Sequence, residues 1–209
     1  MTESMIILPP LKVTCTTTDC EADLHCFKFH SRKMKPDDRG NCRECGIALV
    51  DWERVHARDA LDIEHTFSEL KREFIRHYFW HKKVDEKADK HARRKGQLRL
   101  QEAATQRLRS SVAKAEPIRD GQQTPMSGNI LYYAQHATAC CCRTCMEYWH
   151  NVPKGRELTE SELKYFTELI MRFVSERMPK LPEEPEKIPR RSNVRRSRSK
   201  DKNWRRSLD

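Results

Sequence analysis

The stretch Cys42-Arg43-Glu44-Cys45-Gly46 decides how the N-terminal part of this chain is read. Two thiols separated by two residues can both reach one tetrahedral cation. The glycine after them lets the backbone turn through positive φ, so that nearby amides point at the sulfurs. Upstream lie Cys15, Cys20 and Cys26, and with them residues 12–50 hold five cysteines. Turn formers (Pro36, Asp37, Asp38, Gly40) separate the two thiol groups. This pattern predicts a small zinc ribbon over 12–50, with Cys20, Cys26, Cys42 and Cys45 as ligands. Cys15 is an alternative to either member of the first pair, and His25 or His30 is an alternative nitrogen ligand. The segment has few apolar residues, so the metal would supply its folding energy.

Composition narrows the rest. The chain has 209 residues, nine of them cysteine, and a net charge of +10. Its mean hydropathy is −0.89. No stretch approaches the roughly 18 apolar residues of a membrane span. The short apolar run Met5-Ile6-Ile7-Leu8 has no basic region before it and ends at Pro9-Pro10, unlike a signal peptide. These features predict a cytoplasmic protein with reduced thiols and no membrane partner. In such a compartment cysteines serve as metal ligands or reactive groups more often than as disulfides. The charge surplus is concentrated at +4 in residues 51–120 and +6 in 179–209. A polyanion partner follows most simply from that placement.

Residues 51–116 contain no proline and a single glycine, Gly96. Ile63, Phe67, Leu70, Phe74 and Tyr78 recur at helical spacing, which predicts a long charged helical segment broken at Gly96. Lys82, Lys83, Lys87, Lys90, Arg93, Arg94 and Lys95 give it a basic stretch suited to phosphate contacts without sequence choice. Glu73, His77 and His81 stand four apart, a spacing at which His77 and His81 could share one cation and equally that of a solvated helix face.

Residues 117–178 form a third region, rich in Cys and His. Ile130-Leu131-Tyr132-Tyr133 reads as a buried strand or a helix start. Thr138 is placed to cap a helix over 139–150. Thr159-Glu160-Ser161-Glu162 is a capping box, with Leu158 and Leu163 at the positions of a hydrophobic staple. Cys141, Cys142 and Cys145, with His136 and His150, are candidate ligands of a second zinc site. Buried packing thiols are the competing reading, since three consecutive cysteines cannot all face one ion from a helix. Arg143 and the helix N-terminus could also activate a thiol. From Pro179 the chain turns to prolines, acids and then Arg190, Arg191, Arg195 and Arg196, a composition that predicts a disordered basic tail over 179–209. Trp204 within it could stack on a base.

The residues Asp120-Gly121-Gln122-Gln123-Thr124-Pro125, Ala134-Gln135-His136-Ala137-Thr138, Cys141-Cys142-Arg143-Thr144-Cys145, Trp149-His150 and Pro153-Lys154-Gly155 resemble a bacterial family catalogued only as a domain of unknown function. The similarity covers roughly 117–178. His25-Cys26-Phe27, Leu49-Val50-Asp51-Trp52 and Arg76 to His81 are similar to a longer form of that family. The resemblance implies no activity. Cys140 departs from the motif, which makes it a weaker ligand candidate than its neighbours.

The expected fold is therefore α+β: zinc ribbon (12–50), charged helical segment (51–116), Cys/His-rich helical module (117–178) and tail. The expected function is zinc-dependent association with nucleic acid. Two alternatives remain. A metal-dependent nuclease or hydrolase would use His136, His150, Asn151 and Lys154 around the second cluster, with Asp62-Ile63-Glu64-His65 as a weak nuclease-like string. A thiol- or metal-sensing adaptor would use the cysteines to report redox state and its helices to bind a protein partner.

Overall fold

The computed structural model describes residues 13–188. Seven α-helices follow one another: α1 (Trp52–His56), α2 (Ile63–Leu70), α3 (Phe74–His81), α4 (Glu86–Ser111), α5 (Ile130–Ala137), α6 (Arg143–His150) and α7 (Glu160–Arg177). Among the described residues the only β pairing is two isolated bridges, Asp19 with Leu24 and His25 with Glu73. The α+β expectation thus gives way to a mostly helical fold, and the structure does not show a ribbon. The N-terminal segment makes turns and short 3₁₀ pieces, at Cys20–Ala22 and Pro36–Asp38. Besides pairing with itself at Asp19 and Leu24, it pairs with the helical body: His25 N–H donates to the Arg72 carbonyl, and Phe74 N–H to that of His25.

The long helix expected from 51 onward is four helices. Its apolar period is real, but α2 stops at Leu70 and α3 begins at Phe74. The backbone between them turns inward, where the Arg72 carbonyl accepts from His25 N–H and Phe74 N–H donates to the His25 carbonyl. A second break precedes α4, where the Asp85 carboxylate caps Ala88 N–H at 2.9 Å and also accepts from Gly128 N–H and the Tyr133 hydroxyl. Gly96 interrupts α4 as the sequence predicts, with φ at 67°. The reason is tertiary. A Cβ at Gly96 would collide with the backbone of Glu183 and Glu184. Those residues belong to a strap, 179–188, that runs back along α4: Gln97 N–H donates to the Pro182 carbonyl and Glu186 N–H to that of Arg93. The first ten residues of the expected disordered tail are therefore ordered, and the rest lie outside the described residues.

Helix α5 is the centre of the body, packed against α3, α4 and α7. Seven of its eight residues are buried, which explains why its short apolar run carries no readable period. α7 starts at the predicted capping box, with Thr159 and Glu162 bonded reciprocally. It lays Phe166, Ile170 and Phe173 into the core beside Trp80, whose ring meets Phe173 edge-on at 5.1 Å. Phe27 from the N-terminal segment is equally buried, edge-on to both Trp52 and Trp149. One continuous core thus runs through the N-terminal segment and the helices.

Candidate metal centres

Among the described residues, two groups bring ligand-type atoms within 4.8 Å of one another: Cys20, His25, Cys42 and Cys45, and Cys141, Cys142 and Cys145. Both could hold a metal ion.

The first lies at the edge of the molecule. Gly46 has φ of 77° and donates its N–H to the Cys42 carbonyl at 2.8 Å, closing the knuckle as the sequence predicts. Burial would raise the Cys42 thiol, but the amides of Cys45, Cys26 and Glu44 outweigh it and bring the group down to about 6. Cys20 and Cys42 sulfurs are 3.8 Å apart, and His25 Nδ1 lies 3.5 Å from Cys45 Sγ. The other ring nitrogen, Nε2, sits 3.0 Å from the Asp23 carboxylate. That partner fixes the proton on Nε2 and turns the Nδ1 lone pair toward the three sulfurs, the outer-shell arrangement typical of metal-bound histidine.

His25 stands where the sequence places Cys26. The backbone here is pinned in extended form to Arg72 and Phe74, so neighbouring side chains point to opposite sides. His25 faces the knuckle, and Cys26 faces inward, where its thiol donates to the Cys15 carbonyl at 3.3 Å. Burial pushes the Cys26 thiol up to about 12, as expected of a neutral packing residue.

The second group is in the core. The single helix expected over 139–150 is interrupted: α5 ends at Ala137, Ala139 takes φ of 55°, and α6 starts only after Cys142. Cys140, Cys141 and Cys142 therefore lie in a turn, free of the helical geometry that would have splayed them. Cys142 caps α6, its sulfur accepting Cys145 N–H at 3.4 Å. The three converging thiols are 3%, 4% and 2% exposed. Cys140 turns away and donates to the Thr138 carbonyl.

The residues packed under this group were not legible in the sequence. Arg76, fully buried, points Nη2 at Cys145 Sγ (3.1 Å) and Nη1 at Cys141 Sγ (3.7 Å). Its Nε donates to Glu73 at 2.9 Å, and Nη1 also reaches the His136 carbonyl at 2.6 Å. Glu73, also buried, accepts further bonds from Trp149 Nε1 (2.7 Å) and the Tyr148 hydroxyl (2.9 Å). Hydrogen bonds from the Cys141, Cys142 and Cys15 thiols, with the Arg76 charge, hold Cys145 well below the usual thiol range. Arg143, the cation expected to activate a cysteine, instead sends its guanidinium to the Val112 and Pro153 carbonyls.

The predicted imidazoles do not join these sulfurs. His136 Nε2 is on the Thr124 carbonyl and His150 Nε2 on that of Thr138. Burial lowers them to about 4 and about 3, so both stay neutral. Glu73, His77 and His81 do not share a face either. Glu73 is spent on Arg76, while the His77 and His81 rings lie tilted against each other at 4.1 Å on the outer side of α3, beside a surface cavity of about 320 Å³. Lys154 pairs with Asp120, Asn151 closes α6 in the left-handed region, Asp62 pairs with Arg54 and Glu64 with Arg172. Of the basic stretch, Lys82 donates to the Met126 carbonyl, Lys90 pairs with Glu86, Arg93 with Asp89 and Glu186, and Arg94 reaches the Ile188 carbonyl. Lys83, before α4, and Lys87 on it are exposed, and Lys95 on α4 is half-buried. Arg190, Arg191, Arg195 and Arg196 lie outside the described residues.

A helical body with two cysteine-based centres is thus the class this fold defines. A protein-family model described as "Domain of unknown function (DUF4186)" matches residues 64–175. The match takes in more than half of the chain, from α2 into α7, and the chain belongs to that family. No solved structure matches it.

Proposed function

We propose that the chain is a zinc protein whose two centres are structural, and that it acts by binding, with nucleic acid as the partner. The observation that carries the first half is the convergence of three thiols, each under 5% exposed, on one point of the core. Thiolate sets of this softness favour zinc over hard cations. A catalytic ion needs an open coordination position. Burial of the second group speaks for a closed site, and the group that converges there is made of thiols alone. The partner half is supported by the +10 charge and by the exposed Lys83, just before α4, and Lys87 in its first turn.

Metal content by native mass spectrometry tests the first half. Two zinc ions per chain are expected, falling to one in Cys142→Ser/Cys145→Ser. Equal metal in both proteins would remove the second centre. Generic single-stranded oligonucleotides test the second half. Binding should weaken linearly in log–log salt plots, with a slope reduced by about one to two in Lys83→Glu/Lys87→Glu. Absence of binding at low salt would discard the nucleic-acid reading. The sensor reading has one observation in its favour: Cys45 is the exposed ligand of the outer centre, the sulfur an oxidant would meet first.

A further inference from the structure

Helix α4 is opened at one hydrogen bond, and the strap fills the opening. In a continuous helix the Arg93 carbonyl accepts the Gln97 N–H. Here Gln97 N–H donates to the Pro182 carbonyl at 3.0 Å, and the Arg93 carbonyl accepts from Glu186 N–H at 2.9 Å. Gly96, between them, takes φ of 67° and leaves room for the Glu183 and Glu184 backbone, which a Cβ would strike. The strap thus replaces both halves of one backbone bond, at the one glycine of the helix. That is a seat shaped to receive a chain segment.

The seated segment lies on cations. Glu186 Oε1 is 3.3 Å from Arg93 Nη1, and Arg94 Nε donates to the Ile188 carbonyl at 3.2 Å. Arg93 already has Asp89 one turn back, at 3.2 Å. Residues 182–188 carry three glutamates against one lysine. We infer that residues 182–188 are an intramolecular stand-in for a phosphate backbone: they cover Arg93 and Arg94, which belong to a polyanion-binding face of α4, and they give way when nucleic acid binds. This rests on the nucleic-acid reading proposed above.

Three features support this. The covered arginines continue a basic face, because Lys87, Lys90 and Arg94 stand at positions i, i+3 and i+7 of α4. A carboxylate and a phosphate offer the same kind of acceptor oxygens to a guanidinium, so a phosphate fits where Glu186 sits. Release of the segment is also cheap. Leu181 is buried, but every residue from 182 to 188 is exposed or half-buried, and solvent-exposed ion pairs such as Arg93 with Glu186 contribute little. The two backbone groups left behind, the Arg93 carbonyl and the Gln97 N–H, can bond to each other once Gly96 turns helical, so neither loses a partner. Strap-in and strap-out are then two arrangements of one element. A polyanion that reaches Arg93 and Arg94 only in the second shifts the balance toward it.

Oligothymidylate binding by wild type and Gly96→Ala tests the inference. The substitution changes no charge, disfavours the left-handed backbone and fills the seat. The variant should bind about tenfold tighter at low salt, with a log–log salt slope steeper by about one. Adding Arg93→Gln/Arg94→Gln should return both quantities to the wild-type values. Equal affinity in wild type and Gly96→Ala overturns the covering role of the strap and leaves the nucleic-acid reading standing. No binding by either protein at low salt removes that reading, and the inference with it. Hydrogen exchange in the unmutated protein covers the case of a Gly96→Ala variant that does not fold. Glu186 N–H loses its Arg93 acceptor when the strap leaves, so it should exchange faster under saturating oligothymidylate. Unchanged or slower exchange at Glu186 in the bound protein overturns the inference.

Discussion

The outer centre at Cys20, His25, Cys42 and Cys45 and the core group at Cys141, Cys142 and Cys145 share one device and differ in everything around it. In each, two cysteines three positions apart bracket a turn, and the second amide donates to the first sulfur. Around the outer centre the supporting partner is Asp23, an exposed carboxylate on one histidine. Around the core group the support is a buried arginine, a buried glutamate, a tyrosine and a tryptophan, drawn from two separate parts of the chain. Water screens and solvates the first set, while only the protein can satisfy the second. The outer centre therefore shapes a loop, and the core group is inseparable from the fold.

The sharpest way to break that contrast is Arg76→Met. It leaves Glu73 buried without its ion partner and should destabilise the fold by about 3–5 kcal/mol in urea unfolding. A cost near zero would mean that the core network is no more demanding than the rim.

Acid should act on the core next. His136 has a folded value of about 4 against 6.5 ordinarily, so below pH 6.5 the unfolded chain takes up the proton first. Stability from this group is complete above pH 6.5, falls as pH drops toward 4, and changes no further below that. The loss is about 3 kcal/mol. Urea midpoints measured from pH 7 to 4 should flatten in His136→Asn by that amount, and an identical profile would show that burial at His136 does not bias its protonation.

Gly96→Ala probes the strap. It forces a side chain into a left-handed backbone position against Glu183 and Glu184, at a cost of about 1–3 kcal/mol. Limited proteolysis should cut within 179–188 faster in the variant, and equal rates would detach the strap from the fold's stability. The smallest effect on stability is expected from Asp23→Asn at the rim. Zinc affinity of the outer centre should fall about 10–100-fold, measured by chelator competition, while the melting temperature barely moves. A large thermal shift would erase the distinction between rim and core.

How much of this was legible follows the range of the interactions involved. The capping box at Thr159 and the glycine turn at Gly46 depend on residues within a few positions, and each stands where the sequence puts it; the break at Gly96 also stands where the sequence puts it, although the strap that demands it is distant. The interruption of the expected 139–150 helix was not readable, because Cys140 N–H finds the Gln135 carbonyl and the Thr124 hydroxyl holds the Cys141 carbonyl from another loop. The choice between His25 and Cys26 was not readable either. It turns on which side of an extended strand faces the knuckle, and that was set by pairing with Arg72 and Phe74.

By itself, then, the sequence determined that this chain carries two thiol clusters, a long helical body and a basic surplus, because thiol spacing, apolar period and charge are local properties of the chain. Only the tertiary structure decided which donors meet. It brought His25 to Cys45 and Arg76 beneath Cys141 and Cys145, since a buried charge or thiol must find its partner across the fold wherever in the sequence that partner lies.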